Sequence, residues 1–165
     1  MSFDGRAIAN FVLDTCDSEG RAITNLSLQK IVYFCHVWTL AKLGKPLVKQ
    51  NFEAWQYGPV LQYLYREFKD FESRPITSRA KKINPLTGHA ELVEYSFDLD
   101  TQSLLRKIVT IYSGLSAGSL VDLSHVKGGP WDKAWSHNGR VNPGMIIDNE
   151  NISNFYAGLR APSLS

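Results

Sequence analysis

The sequence has few cysteines, almost no excess charge of either sign and no long apolar run. Its 165 residues include two cysteines, and the 18 lysines and arginines nearly balance the 16 aspartates and glutamates. A strong nonspecific nucleic-acid binder neutralises ~6–10 phosphates and needs a concentrated basic excess, which is missing here. The apolar run at residues 31–41 contains His36 and is shorter than the about 20 residues of a membrane helix. Neither a disulfide scaffold nor a membrane-spanning protein is expected.

The N-terminal residues show no signal peptide, because Asp4 and Arg6 lie close together and no long apolar stretch leads to a cleavage site. Cys16 and Cys35 each fall within an apolar helical pattern, and neither has a basic cluster nearby that would lower its pKa. We interpret both as buried free thiols in a reducing cytosol, with a disulfide or a catalytic thiol as the alternative. The chain is therefore expected to be cytoplasmic.

The composition is that of an ordinary globular protein. Hydrophobic residues make up 44% and charged residues 21% of the chain, which excludes wholesale disorder. A chain of ~150 residues buries about 68–70% of its unfolded surface, so one real core is feasible without disulfides. We expect a single domain over residues 1–165, with residues 160–165 as a frayed tail.

Apolar residues recur at the helical period over most of the chain. Residues 27–43 are apolar on nearly all sides and stop before Gly44 and Pro46, which predicts a central helix buried between other helices. Residues 47–55 are predicted to be extended. The other predicted helices are residues 4–17, residues 59–71 with Pro59 first, and four whose first or capping residue is Asp100, Ser116, Pro130 and Asp148 or Asn149.

The helical period is lost in the middle of the chain. Val93, Tyr95 and Phe97 alternate with polar residues, which predicts a strand, and residues 84–88 read as a turn. We predict a β-hairpin within residues 77–97 that pairs residues 77–84 with residues 89–97. Its basic residues precede the turn and its acidic residues follow it. The predicted fold class is mainly α, a single-domain multi-helix bundle around a buried central helix, with an inserted β-hairpin.

No pattern in the sequence indicates catalysis. We find no nucleophile–base pair, carboxylate pair or metal-ligand cluster with a recognisable spacing, and His125 and His137 have no neighbouring cysteine. Gly128-Gly129-Pro130 lacks the lysine and the preceding strand of a phosphate-binding loop. We therefore expect no enzymatic activity, no metal site and no cofactor.

Two binding classes stay open on residue patterns alone. A nucleic-acid-binding regulator would use the basic residues at 74–82, although basic edge strands commonly serve to prevent aggregation. A protein-binding module would use the exposed edge of the hairpin and the large aromatic residues Trp55, Tyr57, Trp131 and Trp135, which are of the types that anchor interfaces. Core packing is the alternative role for those aromatic residues.

Three blocks of sequence resemble one known family. They are LSLQKIVYF at residues 26–34, followed by GKPL at 44–47; FEAWQYGPV at 52–60; and SHVKGGPW at 124–131. In this order they are similar to the Panacea antitoxin domain, a family also described as SocA-like or GepA-like and often labelled phage-associated. The similarity extends from about residue 5 to residue 158 and includes an Ile-rich stretch before the last predicted helix.

The resemblance implies an antitoxin of a bacterial or prophage toxin–antitoxin system, with a role in phage defence. Its partner would be a cognate protein toxin encoded by the adjacent gene and neutralised by direct protein–protein binding. A protease adaptor that delivers the toxin for degradation is a close variant, with the protease as a second partner. A nucleic-acid-binding transcriptional regulator is the alternative from another class. Nucleic acid and membrane are not expected as partners, and autorepression is not expected without a separate operator-binding domain.

The residues that carry the resemblance are expected to act chiefly as scaffold. Gln29 and Tyr33 form, with His36, a polar stripe on the central helix that must find hydrogen bonds, and the loop at residues 55–59 is the predicted source. Trp131 is predicted to close the helices as a plug. The expected scaffold set is Leu28, Gln29, Lys30, Tyr33, Glu53, Trp55, Tyr57, Gly58, Pro59, His125, Pro130 and Trp131. Toxin contacts are expected on the hairpin, at Arg79, Lys81, Lys82, Glu91, Glu94 and Tyr95.

Overall fold

A computed structural model describes residues 2–136 and 143–162. Helices dominate these residues, and two small antiparallel hairpins accompany them, so the predicted mainly α fold class is confirmed. No helix in the described ranges is both long enough and apolar enough to cross a membrane. The helices are α1 (Gly5–Ser18), α2 (Asn25–Leu43), α3 (Gln62–Phe68), α4 (Leu99–Ser113), α5 (Ala117–Ser124), α6 (Pro130–Ser136) and α7 (Asn149–Tyr156), and the strands are β1 (Glu53–Trp55), β2 (Gly58–Val60), β3 (Lys81–Ile83) and β4 (Ala90–Leu92).

Helix α2 is the buried centre of the fold, as its all-round apolar sequence predicts. It contacts α1, α3, α4, α5 and α7. The helix begins two residues earlier than predicted, because the Thr24 hydroxyl accepts a hydrogen bond from the Ser27 N–H and caps the first turn. It ends at Gly44, whose φ of 68° is the left-handed conformation that commonly terminates helices.

The starts of the other helices follow their capping residues. Ser116 caps α5, Asp148 caps α7, and Pro130 is the first residue of α6, as predicted. The predicted cap at Asp100 is wrong, since Asp98 accepts the hydrogen bond from the Thr101 N–H at 2.8 Å and α4 begins at the next residue. Asp100 lies in the first turn, where a carboxylate still interacts favourably with the helix dipole.

The segment around Pro59 is a small hairpin, and the prediction that Pro59 begins a helix is wrong. Strands β1 and β2 pair antiparallel, with Ala54 opposite Pro59 and Trp55 opposite Gly58. Pro59 is tolerated in this two-stranded sheet because a strand with a free edge does not need every N–H. Helix α3 therefore begins only at Gln62, and the rest of the predicted helix is a 3-10 turn at Lys69–Phe71.

The second hairpin lies in the predicted place but is shorter than predicted. Its strands β3 and β4 place Lys82 opposite Glu91, within the predicted residues 77–97. Beyond β4 the chain stays close to α1 instead of continuing the sheet, because Tyr95 and Phe97 pack edge-on against the Phe11 ring at centroid distances of 5.4 and 5.3 Å. Aromatic packing on α1 thus replaces strand pairing over the second half of the predicted arm.

The core forms where α1, α4 and α7 cover α2. Cys16 and Cys35 are both buried and free, which confirms the interpretation as unpaired thiols, and burial raises the pKa of each thiol. Ala161 packs against this core, so the described part of the predicted tail is not detached. Residues 163–165 of that tail lie outside the described residues.

Candidate functional site

The family-like sequence blocks converge on the buried amine of Lys30. Lys30 on α2 has 0% exposure, and Leu28 of the same helix is also fully buried. The Lys30 Nζ donates a hydrogen bond to the Pro59 carbonyl at 2.9 Å, which joins the first block to the second. Burial lowers the pKa of the Lys30 ammonium from 10.5 to about 7, because the charged form loses its hydration inside the protein.

Gly58 lies between Lys30 and Ser124, the first residue of the third sequence block. Its φ of +112° is a conformation that side chains rarely adopt, and a Cβ there would lie 2.6 Å from both Lys30 Cε and Ser124 Oγ. The Ser124 hydroxyl is turned back on its own helix, where it donates to the Val121 carbonyl. Only glycine fits between α2 and α5 at this point, which explains a glycine at position 58 in physical terms.

Gln29 ties α2 to the chain that follows β2. Its side-chain oxygen accepts a hydrogen bond from the Leu61 N–H at 3.1 Å, and its amide nitrogen donates to Asn25 at 3.0 Å. Asn25 in turn donates to the Tyr65 carbonyl. For Gln29, the polar stripe therefore finds its backbone partner two residues beyond the predicted loop at residues 55–59.

Two other members of the stripe do not use that loop. His36 Nδ1 accepts a hydrogen bond from the Val48 N–H, and His36 Nε2 donates to Asn149 Oδ1. Burial lowers the pKa of this imidazole. The Tyr33 ring packs edge-on against Phe52, and its buried hydroxyl has no hydrogen-bond partner among the described residues.

Trp131 closes this region from outside. Its indole N–H donates to the Trp55 carbonyl at 2.8 Å, and its ring stacks on His125 with 3.8 Å between centroids. Trp55 donates in turn to Glu53 Oε1. Burial and the nearby Lys30 charge both lower the pKa of His125, so the imidazole stacks on the indole in its neutral form. Tyr57 belongs to the expected scaffold set, but its side chain is not enclosed by the fold, because 61% of the residue is exposed.

Asn10 on α1 holds the base of the β3–β4 hairpin. Its amide nitrogen donates to the Ala80 and Val93 carbonyls at 3.0 and 2.9 Å, and its oxygen accepts from the Ala80 N–H at 2.8 Å. Asn10 is not among the site residues predicted from the sequence. Its signal was a lone amide among the apolar positions of α1, and periodicity does not show what such an amide binds.

Arg79 and Tyr95, two residues expected to contact a toxin, instead bind α1. The Arg79 guanidinium pairs with Asp14 and Asp17, and the Tyr95 hydroxyl donates to Asp14 at 2.7 Å. Burial and this bond to Asp14 raise the pKa of Tyr95 to about 12. The other four expected contact residues, Lys81, Lys82, Glu91 and Glu94, are exposed on or next to the hairpin strands.

Metal ligands do not gather in the part of the chain that the structure describes, where no group of three or more His, Cys, Asp or Glu could hold an ion. His137, considered as a ligand with His125, lies outside the described residues. The geometry near Lys30 consists of a buried amine, a close glycine contact and stacked aromatic rings. This arrangement connects α2 and α5 to the β1–β2 hairpin.

The helical fold and the blocks that meet at Lys30 belong to an antitoxin domain class. Residues 28–132 match the family model "Antitoxin SocA-like, Panacea domain". The chain is also similar to Antitoxin SocA of Caulobacter vibrioides (strain NA1000 / CB15N), with 40% identity over 132 residues, which is 80% of this chain and 70% of the relative. The chain therefore belongs to the SocA-like antitoxin family with a Panacea domain, as its sequence blocks predicted. No solved structure matches it.

Proposed function

We propose that this chain is an antitoxin that neutralises a cognate protein toxin by binding it directly, without chemical change in either protein. The observation that carries the mode of action is the β3–β4 hairpin. All six of its strand residues are exposed, yet its base is held to α1 by the buried Asn10. Such an element presents a fixed surface to a partner at a small further entropic cost.

The attachment to α1 overcomes the weakness of a short hairpin. An isolated two-stranded hairpin is marginally stable at best in water. Here Asn10 supplies three hydrogen bonds at the base, and Arg79 and Tyr95 add contacts to Asp14. We infer that Arg79 and Tyr95 hold the hairpin and that its exposed strand residues contact the toxin.

The exposed strand surface combines apolar and charged side chains. Ile83 is 65% exposed and Leu92 is 55% exposed. By the alternation of strand side chains they share one face with Lys81 and Glu94, and Lys82 and Glu91 lie on the other face. Exposed apolar residues among charges are typical of a surface that a partner protein covers. The basic charge of Arg79 is already paired with Asp14 and Asp17, which argues against its use for nucleic-acid phosphates.

Binding alone is sufficient for neutralisation, because a complex removes free toxin by mass action. A toxin whose active surface is covered in the complex is inactive for as long as the complex persists. A protease adaptor would use the same first step and add delivery of the bound toxin. The two mechanisms differ in cells that lack the protease, where masking still protects and delivery does not.

The test compares the hairpin with other exposed apolar sites. The double variant Ile83→Asp/Leu92→Asp is co-expressed with the product of the adjacent reading frame, after that product alone has been shown to arrest growth. The matched control is Leu99→Asp/Leu159→Asp, which changes two exposed leucines elsewhere. We expect the hairpin variant to lose protection and to bind at least about tenfold more weakly, as two charges are placed in an apolar contact, with unchanged thermal unfolding.

The possible results test separately whether the chain binds the toxin directly and whether the β3–β4 hairpin makes the contact. Absence of a complex between the wild-type chain and a verified neighbouring toxin would contradict direct binding. Full protection by the hairpin variant, with a normal complex, would contradict the location of the contact while leaving direct binding intact.

A further inference from the structure

The two edges of the β3–β4 hairpin differ in how far the protein itself covers them. The Val93 N–H donates to the Ala80 carbonyl, and the Asn84 N–H donates to the His89 carbonyl. These two bonds show which opposite pairs of the hairpin are hydrogen-bonded and which are not. Because hydrogen-bonded and non-hydrogen-bonded pairs alternate in an antiparallel sheet, Lys82 and Glu91 bond to each other. The residues between those pairs direct their N–H and C=O groups away from the partner strand.

The β3 edge is largely closed by the protein itself. The outward N–H of Lys81 donates to Glu67 Oε1 at 3.0 Å, and the Lys81 carbonyl accepts from the Arg6 guanidinium at 3.3 Å. Both backbone groups of this residue are therefore occupied by α3 and α1. Ile83 is the remaining outward-facing position on the strand.

The β4 edge is open. By the same alternation, the backbone N–H and C=O groups of Ala90 and Leu92 point away from β3. Those of Glu94 continue this row of backbone groups beyond the strand. Within residues 2–136 and 143–162, the outward N–H and C=O groups of these three residues have no hydrogen-bond partner. A cavity of about 330 Å³ lies next to this row, and it is lined by residues 92–95, by Arg79, and by Asn10 and Asp14 of α1.

We propose that a strand of the toxin adds to the β4 edge and extends the hairpin to a three-stranded sheet. This inference rests on the proposed function, and it specifies how the partner is recognised. Backbone hydrogen bonds to Ala90, Leu92 and Glu94 supply the register, as in other cases of strand addition. Apolar side chains of the added strand contact Ala90 and Leu92 on the exposed face.

The acidic charge of the β4 edge indicates which charges the added strand carries. Residues 90–98 contain Glu91, Glu94 and Asp98 and no lysine or arginine. Opposite charges on neighbouring strands stabilise pairing, and like charges oppose it. The added strand therefore carries lysine or arginine beside Glu91 and Glu94.

The same charges disfavour a second copy of this chain as the occupant. Pairing two β4 edges would place Glu91 and Glu94 of both copies on the same pair of strands, with no lysine or arginine from residues 90–98 to balance them. Inward or edge charges are a common way in which proteins prevent such self-pairing. The open edge is thus selective for a basic, alternating strand from a different protein.

Proline substitutions on one rung of the hairpin test the proposal. Ala90 and Ile83 are opposite each other, and both direct their N–H groups outward, Ala90 at the β4 edge and Ile83 at the β3 edge. Proline removes the N–H and is tolerated where no ladder bond is lost. Affinity is measured for the purified, growth-arresting product of the adjacent reading frame, with thermal unfolding of each variant as the folding control.

We expect Ala90→Pro to weaken binding at least about tenfold, because the lost N–H leaves a buried carbonyl of the partner unpaired. Ile83→Pro is expected to bind no more weakly than Ile83→Ala, which separates loss of the Ile83 side chain from loss of its N–H. Equal weakening by proline at both positions, or an effect at Ile83 alone, would overturn the assignment to the β4 edge.

Amide hydrogen exchange in the wild-type complex gives a second readout that needs no variant. We expect protection of the Ala90, Leu92 and Glu94 amides when the toxin binds, and little change at Ile83. A complex without this protection would overturn strand addition and leave direct binding intact. Absence of any complex would overturn both. Protection that rises with the concentration of the chain alone would show pairing of two copies and also contradict the proposal.

Discussion

Lys30 places an ionisable amine in the core of this fold. Its amine is fully buried on α2 and donates to one backbone carbonyl, that of Pro59. Burial without a carboxylate partner disfavours the ammonium form, and the pKa falls to about 7. The hydrogen bond fixes the β1–β2 hairpin to the central helix, and the protein accepts an electrostatic cost at neutral pH for that connection.

This cost predicts a pH dependence of stability. Between the folded pKa of about 7 and the ordinary value of 10.5, the unfolded chain binds more protons at this lysine than the folded chain does. The free energy of unfolding therefore rises as pH increases through this range, and the gain is lost as pH falls to about 7. The rise amounts to a few kcal/mol, because one pKa unit corresponds to about 1.4 kcal/mol.

Urea unfolding at several pH values between 7 and 10 checks this prediction. The rise should disappear in Lys30→Met, which keeps an unbranched side chain one atom shorter and removes the amine. Lys107→Met, which alters an exposed lysine on α4, should retain the rise. If wild type and Lys30→Met show the same pH profile, Lys30 is not the titrating group.

Gly58 and Gly88 offer a matched pair of glycines with positive φ. At Gly58 a Cβ would lie 2.6 Å from two side-chain atoms, whereas at Gly88 in the β3–β4 turn it would meet nothing within 4 Å. We expect Gly58→Ala to destabilise the fold by roughly 2–5 kcal/mol, from backbone strain plus overpacking. Gly88→Ala should cost about 1 kcal/mol, from backbone strain alone. Urea midpoints measure both, and equal costs would show that the contact with Lys30 and Ser124 is easily relieved.

Sequence patterns could predict part of this residue-level arrangement. The polar stripe indicated that Gln29 needs a hydrogen-bond partner near residues 55–59, and the structure places that partner at Leu61. The depth of Lys30 could not be predicted, because a lysine beside an apolar helix more often extends to solvent. Its burial depends on a carbonyl supplied by a hairpin that no periodicity revealed.

At the scale of elements, buried hydrogen bonds from Asn10 hold the β3–β4 hairpin to α1, and Arg6 and Asp14 add exposed contacts. Asn10 satisfies two carbonyls and one N–H that lie 70 and 83 residues away in sequence. Removing the side chain would leave these buried backbone groups without partners, each at a cost of about 1–3 kcal/mol before water enters. The hairpin would then be held to α1 by the exposed contacts of Asp14 and by the packing of Tyr95 on Phe11.

Asn10→Ala should therefore lower the free energy of unfolding by about 2–4 kcal/mol. It should also accelerate amide exchange at residues 80–93 more than in α2, because local opening of the hairpin becomes easier than global unfolding. Asn154→Ala, at an exposed position of α7, is the control and should change neither quantity appreciably. Uniform acceleration over the whole chain would show that Asn10 stabilises the core and has no special effect on the hairpin.

Helices were predictable to within a few residues where the apolar period was long and a cap was present, as in α2 and α5. The β1–β2 hairpin was missed because each of its strands is three residues long, too short for an alternating pattern to be distinguished from a helical one. Pro59 then favoured a helix start, although hydrogen bonding across the fold holds it in a strand. Tertiary contacts, which local sequence does not record, decided this segment.

At the scale of the whole molecule, the hydrophobic core includes residues that lie outside the stretch that matches the family model. The match covers residues 28–132, whereas α1 and α7 lie outside it and both pack on α2. These two helices and the residue before α7's cap contribute buried core side chains, namely Ile8, Phe11, Val12, Leu13, Cys16, Ile147, Ile152 and Tyr156. The central helix is therefore covered on two sides by chain outside residues 28–132.

A fragment of residues 24–136 tests whether the signature is a folding unit. It retains the whole matched stretch and the Thr24 cap, and it lacks α1 and α7. Each large apolar side chain that loses its burial costs about 1.5–3 kcal/mol, and the sum over both helices is at least comparable to the about 5–15 kcal/mol by which domains are stable. We expect no cooperative thermal transition and weak near-ultraviolet circular dichroism from the fragment, whereas residues 2–162 should melt cooperatively. A cooperative transition of the fragment would contradict the requirement for α1 and α7, and would mean that α2 can be buried by α3–α6 alone.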